Sequence, residues 1–312
     1  MTRTPEAARA ALRSVVAIPV APFAEDGQID TSALARIVGR MAEAGVSVMT
    51  PNGNTGEFYA LASNEYGRAI ETTVTTMAGA GTVIAGIGFD TATAIQMGRS
   101  AAAAGADGVM IHQPLHPYQS SGGWVAYHRA IASALAEIAV VLYIKDPMVT
   151  GPMLHEVVDT CPNVVGVKYA VGDVIRFASL VHAVGTGNLA WVCGLAEPWA
   201  PFFWVAGATG FTSGLANVDP GLSLEMLHCL RAGDQDGAMR VWRSVKPFED
   251  LRARRNSANN VSAVKEALAQ LGLCDRRVRP PLETLDATER GEVASILAGW
   301  ATPTAAAGPP GT

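Results

Sequence analysis

Val164-Val165-Gly166-Val167-Lys168-Tyr169-Ala170 is a short apolar run with one ammonium group inside it. A nearly continuous apolar run of this length is the pattern of a β-strand buried on both faces, as in parallel sheets covered by helices. Lysine is scarce: only Lys145, Lys168, Lys246 and Lys265 occur, and the other strongly basic side chains are arginines. Burial disfavours the charged form of an amine, by up to about 3–5 pKa units when complete. A lysine placed this way is a neutral nucleophile able to condense with a carbonyl. The alternative is a strand-end lysine whose stem is buried and whose ammonium snorkels out to water.

Similar β-rich runs recur on both sides of this one. They are Val15–Val20, Val46–Thr50, Thr82–Gly86, Gly108–His112, Val140–Ile144, Val164–Lys168, Ala190–Cys193 and Thr209–Ser213. Helical patterns separate them: Thr31–Ala44, Asn64–Ala78, Thr91–Ala104, Gly122–Leu135, Pro152–Thr160, Val174–Val184 and Glu197–Val205. Strands alternating with helices pair in parallel through right-handed crossovers, and eight of them close a barrel. The fold class expected is therefore α/β, a (β/α)8 TIM barrel. A doubly wound open sheet competes, but no GxGxxG follows the first strand. Four further helices, Gly221–Ala232, Gln235–Asp250, Val261–Gly272 and Thr288–Trp300, predict a C-terminal helical extension. The expected division is an N-terminal segment over 1–13, the barrel over 14–220, the extension over 221–300 and a disordered tail over 301–312.

Composition narrows the class of protein. A hydrophobic fraction of 49% with 16% charged residues suits a globular enzyme with a large core. The net charge of −5 gives no support for nucleic-acid or anionic-membrane partners. Cys161, Cys193, Cys229 and Cys274 lie far apart with no CxxC, so they read as small hydrophobes in a reducing cytoplasm, with no metal site and no disulfide frame. No apolar run reaches the roughly 18 residues of a membrane helix. Arg13, Pro19 and Pro22 interrupt Leu12–Phe23, against a signal peptide.

In a barrel of this kind the active site lies at the C-terminal ends of the strands. Lys168 ends strand six, Tyr143 stands near the end of strand five, and Gly53-Asn54-Thr55-Gly56-Glu57 follows strand two. Glycines let backbone N–H groups converge on an anion, with the Thr55 hydroxyl as a further donor. The same residues also make an ordinary Gly/Asn turn, and a strand-end tyrosine is often only packed. Gly194 after strand seven suits a close backbone approach, and Thr212 and Ser213 are expected at the same mouth.

Pro19-Val20-Ala21-Pro22-Phe23, Asp26-Gly27, Ile29-Asp30, GNTGE at 53–57, Tyr143 and GVKYAVGD at 166–173 occur in the order and spacing of a known group. From about Val15 to Trp300 the chain resembles the dihydrodipicolinate synthase/N-acetylneuraminate lyase superfamily of class I, Schiff-base-forming enzymes. The resemblance implies that Lys168 condenses with the C2 carbonyl of a 2-keto acid and that Tyr143 shuttles protons. It implies that the loop carrying Asn54, Thr55 and Gly56 holds the substrate carboxylate, with Glu57 orienting it from behind. It also implies a homotetramer or dimer, and no cofactor beyond the lysine imine.

Departures from the pattern bear on substrate. The synthases that add aspartate semialdehyde carry an arginine after the tyrosine-bearing strand, where this chain has Val149, and valine supplies no bidentate contact. They use a tyrosine from a neighbouring subunit, near whose place stands His116, either a relay or a loop histidine without chemistry. Asn54 replaces a relay threonine and cannot pass a proton as a hydroxyl does. Other features resemble 5-dehydro-4-deoxyglucarate dehydratases: a basic residue and aspartate after the tyrosine (Lys145-Asp146), the Ala170-Val171-Gly172-Asp173 stretch, and Val278-Arg279-Pro280-Pro281-Leu282. Lys145 shares a strand face with Tyr143 and either meets a distal substrate group or pairs with Asp146. The expected function is dehydration of a keto-deoxy sugar acid. A pyruvate-dependent aldolase or synthase is the alternative, and a non-catalytic keto-acid-binding barrel the remote one.

Overall fold

Eight parallel strands close on themselves in the order β1-β2-β3-β4-β5-β6-β7-β8 in a computed structural model that describes residues 3–301. The strands are β1 (Val15–Ala17), β2 (Val48–Met49), β3 (Thr82–Ile87), β4 (Gly108–Ile111), β5 (Ala139–Ile144), β6 (Val164–Tyr169), β7 (Ala190–Cys193) and β8 (Gly210–Ser213). The ring is completed by β1 pairing with β8, Val15 opposite Phe211 and Ala17 opposite Ser213. All eight expected strands are present. β1 stops well short of Val20, where the chain enters Pro19-Val20-Ala21-Pro22 and proline has no N–H for a ladder.

The barrel helices are α2 (Thr31–Glu43), α3 (Ser63–Met77), α4 (Thr91–Ala103), α5 (Ser121–Ala134), α6 (Gly151–Thr160), α7 (Val174–Val184) and α8 (Ala200–Val205). Their starts follow side-chain chemistry. Asp30, Asp90, Ser120 and Asp173 each accept a hydrogen bond from a first-turn amide. Each such cap contributes about 1 kcal/mol. Asp173, part of the GVKYAVGD stretch, is thus a helix cap. α8 starts later than expected, at Ala200, with Pro201 in its first turn.

One helix was not anticipated. α1 (Pro5–Ala11), capped by Thr4, lies in the segment assigned no structure from sequence, and closes the floor of the barrel. Ala8 and Leu12 pack with Val16, Ile84, Val141 and Val165 inside the ring. Leu12 fits because β6 carries glycine there: a Cβ on Gly166 would lie 3.0 Å from Leu12 Cδ1. β6 also carries a bulge. Val140 pairs with Val164 but Val141 with Gly166, which leaves Val165 as the extra residue. The shift brings Lys168 into register with Tyr143, the re-aiming of side chains that bulges produce beside active sites.

Beyond β8 run α9 (Pro220–Ala232), α10 (Gln235–Ser257), α11 (Ser262–Gln270) and α12 (Ala287–Ala301). α10 is regular to Ala253, past the expected Asp250. Arg254 then leaves helical geometry, and Arg255, Asn256 and Ser257 are left-handed, with φ of 52, 55 and 66°. Side chains hold this turn: Arg252 donates to Asn260 O and Oδ1, and Arg254 grips Glu292 with both terminal nitrogens at 2.8 and 2.6 Å. The tail expected to be disordered falls, save Ala301, outside the described residues. Among the described residues no helix is long and apolar enough to cross a membrane.

Candidate active site

A cavity of about 1190 Å³ opens at the C-terminal ends of the strands and is lined by Asn54, Thr55, Tyr143, Lys145, Lys168, Gly194 and Thr212, among others. Lys168 sits in its wall, 5% exposed. Its Nζ lies 4.3 Å from the centroid of the Tyr143 ring on the adjacent strand. Burial draws the amine down to about 7, and the positive charge of Lys145 pushes the same way. Gly194 makes room for the stem, since a Cβ there would lie 3.0 Å from Lys168 Cγ and 2.9 Å from Tyr169 O.

The chain contains a second buried lysine, and the contrast is informative. Lys265 on α11 has no exposed surface, but it forms an ion pair with Glu57 and donates to Arg277 O at 2.7 Å. Burial pushes its pKa down while Glu57 pulls it back up. Among the described residues Lys168 has no carboxylate partner. A buried amine with a counter-ion holds structure together; one without is poised to lose its proton and act as a nucleophile.

Tyr143, also buried, accepts a hydrogen bond from Asn54 Nδ2 at 3.1 Å, and burial raises its phenol above the ordinary tyrosine range. It is therefore a neutral phenol whose own proton remains available to a reacting group. Asn54 and Thr55 stand in a tight 3₁₀ turn, Asn54–Gly56. The amides of Gly56 and Glu57 are already bonded to Gly53 O and Asn54 O within that turn, at 2.9 and 3.1 Å. Among the described residues the Asn54 and Thr55 amides and the Thr55 hydroxyl have no hydrogen-bond partner, and both residues line the cavity. Gly56 does not line the cavity; it lets the turn approach the Pro19 segment, where a Cβ would lie 2.9 Å from Pro19 O. The expectation that Gly56 meets substrate is corrected accordingly.

The loop is held from behind by the C-terminal extension. Glu57, left-handed at φ 54°, pairs with Lys265 and accepts from the Arg279 amide at 2.9 Å. Arg279 itself binds both oxygens of Glu65 at 2.6 and 2.7 Å and donates to Gly27 O and Ala60 O. Lys265 and Arg279 both lie over the Phe23 ring, at 4.0 and 4.1 Å. The conspicuous motifs PVAPF, GNTGE and VRPPL thus meet at one electrostatic joint.

One further expectation is corrected. Ser213 does not face the mouth: adjacent strand residues point to opposite faces. While Thr212 lines the cavity, Ser213 Oγ is turned outward to Ser223 Oγ at 3.0 Å and the Ala216 amide at 2.8 Å. His116 is exposed, does not line the cavity, and accepts from the Tyr118 amide at 3.1 Å. The histidine near Tyr143 is His112, which ends the β4 run and whose ring centroid is 5.8 Å from that of Tyr143. Buried against Phe58, His112 is held neutral, near 3; its Nε2 donates to Asn52 O at 2.8 Å, leaving Nδ1 to accept from Tyr59 at 3.4 Å. Its place at a strand end, like that of Tyr143, was the signal that could have found it. Lys145 lies exposed at the cavity rim and makes no ion pair with Asp146, whose Oδ1 accepts from the Met148 amide at 2.8 Å. Val149 is buried in the core outside the cavity wall, so no guanidinium stands in its place.

The profile of the "Dihydrodipicolinate synthetase family" matches residues 11–299. A protein of Methylobacterium radiotolerans named "Probable 5-dehydro-4-deoxyglucarate dehydratase" is 33% identical over 94% of this chain and 96% of its own length. One of the same name from Rhodococcus opacus is 31% identical over 91% and 93%. Among solved structures, the dihydrodipicolinate synthase of Bacillus clausii is 44% identical, with a TM-score of 0.90 over 95% of this chain and all of that one. That of Oceanobacillus iheyensis is 41% identical, with a TM-score of 0.91 over 95% and 99%. Over nearly its whole length the chain belongs to the dihydrodipicolinate synthetase family.

Proposed function

We propose that the protein is a Schiff-base-forming lyase that removes water from a keto-deoxy sugar acid. The observation that carries this reading is Lys168: a buried amine without a counter-ion, near 7, beside a neutral phenol and across from a turn that presents free donors. The relatives named as 5-dehydro-4-deoxyglucarate dehydratases support the choice of substrate.

The chemistry runs as follows. The Asn54–Thr55 donors hold the carboxylate next to the keto group. Neutral Lys168 Nζ attacks the keto carbon, and loss of water gives an iminium, with Tyr143 passing the protons. The iminium withdraws electrons from the neighbouring CH₂, whose proton leaves to form an enamine. The enamine expels the hydroxyl one carbon further on, which departs as water once protonated. Hydrolysis of the conjugated imine frees Lys168 and the unsaturated keto acid, so one water is lost overall. The iminium is itself the electron sink, and the route invokes no metal or organic cofactor.

A second reading, a pyruvate-dependent aldolase or synthase, is favoured by the 44% identity to the Bacillus clausii synthase. Val149 and Asn54 weigh against the aspartate-semialdehyde version. Mass spectrometry of the products separates the two. Dehydration yields one product lighter than the keto-deoxy acid by a water; carbon–carbon cleavage yields pyruvate and an aldehyde, and contradicts the first reading. We place the enzyme in the cytoplasm as a homo-oligomer, dimer or tetramer. In support, Leu115 and Tyr118 are exposed on the β4–α5 loop, 56% and 85%. Light scattering on the purified protein tests the assembly, and a monomer at micromolar concentration would refute it.

A further inference from the structure

We propose that Tyr59 is a positioning residue for Tyr143: its hydroxyl, held on His112 between turnovers, turns to donate to the Tyr143 oxygen as negative charge builds there. The inference rests on the Schiff-base reading above and concerns how a buried phenol is able to give up its proton.

Counting protons defines the need. Addition of neutral Lys168 to the keto group gives a neutral carbinolamine. Its conversion to the iminium breaks the C–O bond while the nitrogen lone pair forms C=N. The hydroxyl leaves as water with a proton from Tyr143, which remains as a phenolate beside the iminium cation. The phenolate then takes a proton from the neighbouring CH₂, so the phenol is restored as the enamine forms. Tyr143 gives a second proton to the hydroxyl expelled from the enamine, and recovers it from the water that adds to the conjugated iminium. Tyr143 thus carries negative charge twice in a turnover, while burial disfavours that charge. Asn54 Nδ2 already donates to its oxygen at 3.1 Å. A phenolate accepts more than one such bond, and a donor engaged only when the charge develops lowers the barrier rather than the ground state.

Tyr59 has the features of that donor. It lies in the 3₁₀ turn Phe58–Ala60, just after the turn that carries Asn54. Tyr59 and Tyr143 both meet the His112 ring edge-on, with centroids 5.4 and 5.8 Å from it. They are close enough that ionising Tyr59 would push the Tyr143 phenol up. Burial holds Tyr59 itself at about 12, so at neutral pH it keeps its O–H. At rest that O–H is given to His112 Nδ1 at 3.4 Å, longer than the roughly 2.7–3.2 Å of a strong bond. Exchanging it for a charge-assisted bond to a phenolate is favourable. His112 is built only to accept. Its Nε2 is committed to Asn52 O at 2.8 Å, and burial keeps the ring neutral, near 3. The ring lies flat on Phe58, with centroids 4.0 Å apart and 8° between planes. Glycine on β3 leaves space for it, since a Cβ on Gly86 would lie 2.9 Å from Nε2. A fixed, neutral imidazole therefore holds the Tyr59 proton in place beside Tyr143 without taking it.

The test is a double-mutant cycle. The rate of imine formation with pyruvate, read as borohydride adduct on Lys168 against time, is measured for the wild type, Tyr59→Phe, Tyr143→Phe and the double variant. Tyr59 is 45% exposed and Tyr59→Phe removes only its hydroxyl, so the melting temperature should hold. At saturating pyruvate the rate in Tyr59→Phe should fall about 10- to 100-fold, as for the loss of one hydrogen bond to a charged group. The half-saturating pyruvate concentration should stay unchanged. In the Tyr143→Phe background, where no phenolate forms, adding Tyr59→Phe should alter the rate by no more than about twofold. A merely structural role for Tyr59 would lower the rate equally in both backgrounds and overturn the proposal, as would an unchanged rate in Tyr59→Phe. Either result leaves the Schiff-base reading standing. Absence of any adduct in the wild type overturns that reading and this one with it.

Discussion

Replacing Lys168 by methionine should stabilise the protein at neutral and acidic pH, and the gain should disappear as pH rises. The folded chain holds this amine near 7, against 10.5 for an ordinary lysine. Below pH 7 both folded and unfolded chains carry the proton, and the folded state bears the full cost of a buried charge, about 5 kcal/mol. Between pH 7 and 10.5 the unfolded chain binds more protons than the folded one, so stability rises with pH. Above 10.5 both forms are neutral and the cost is gone. Lys168→Met removes the amine without emptying the space. Its melting temperature should exceed that of the wild type by on the order of 10 °C at pH 6, and by little at pH 10.5. Calorimetry across that range, taken as the difference between the two proteins, cancels the other titrating groups. A difference that does not vary between pH 6 and 10.5 would show that Lys168 carries the same charge folded and unfolded, and the argument from burial would fail.

Lys265→Met should destabilise by about 3–5 kcal/mol, because Glu57 is left buried without its cation, and adding Glu57→Gln should recover part of the loss; strictly additive urea-denaturation energies would contradict the pairing. Tyr143→Phe should lower kcat about 10²- to 10⁴-fold by removing the proton carrier, with little change in melting temperature; an unaltered kcat removes Tyr143 from the mechanism. Gly194→Ala should slow pyruvate adduct formation on Lys168, since the added methyl meets both the lysine stem and the Tyr169 carbonyl; an unaffected rate would mean the stem is not confined there.

Most of the barrel could be read from the sequence because its strands are short apolar runs set off by helical stretches. Local chemistry explains several of the misses. α1 lies in what reads as a plain N-terminal segment, although Thr4 followed by Pro5 is a helix-start signal. Thr212 and Ser213 read together as one polar feature, but as strand neighbours they face opposite sides of the barrel wall. In the site, Lys168 and Tyr143 were visible from their strand ends. His116 stands out by its position in a loop, while His112, at the end of the β4 run, is the histidine beside Tyr143 within this chain. The Lys265–Glu57 pair was not legible at all: SAVKEALAQ reads as an ordinary helix, and its carboxylate lies at the far end of the chain. Gly56 reads as an anion donor, whereas its amide serves the turn, because composition alone does not say which N–H groups a turn uses.

The central claim is that Lys168 Nζ is the amine that attacks the substrate's keto carbon and forms the imine. Incubation with pyruvate or a keto-deoxy sugar acid, reduction with borohydride and peptide mass spectrometry test it directly. The account predicts one reduced adduct on Lys168, lost in Lys168→Met, with Lys145, Lys246 and Lys265 unmodified. An adduct on any other lysine, or none with any keto acid, would contradict it.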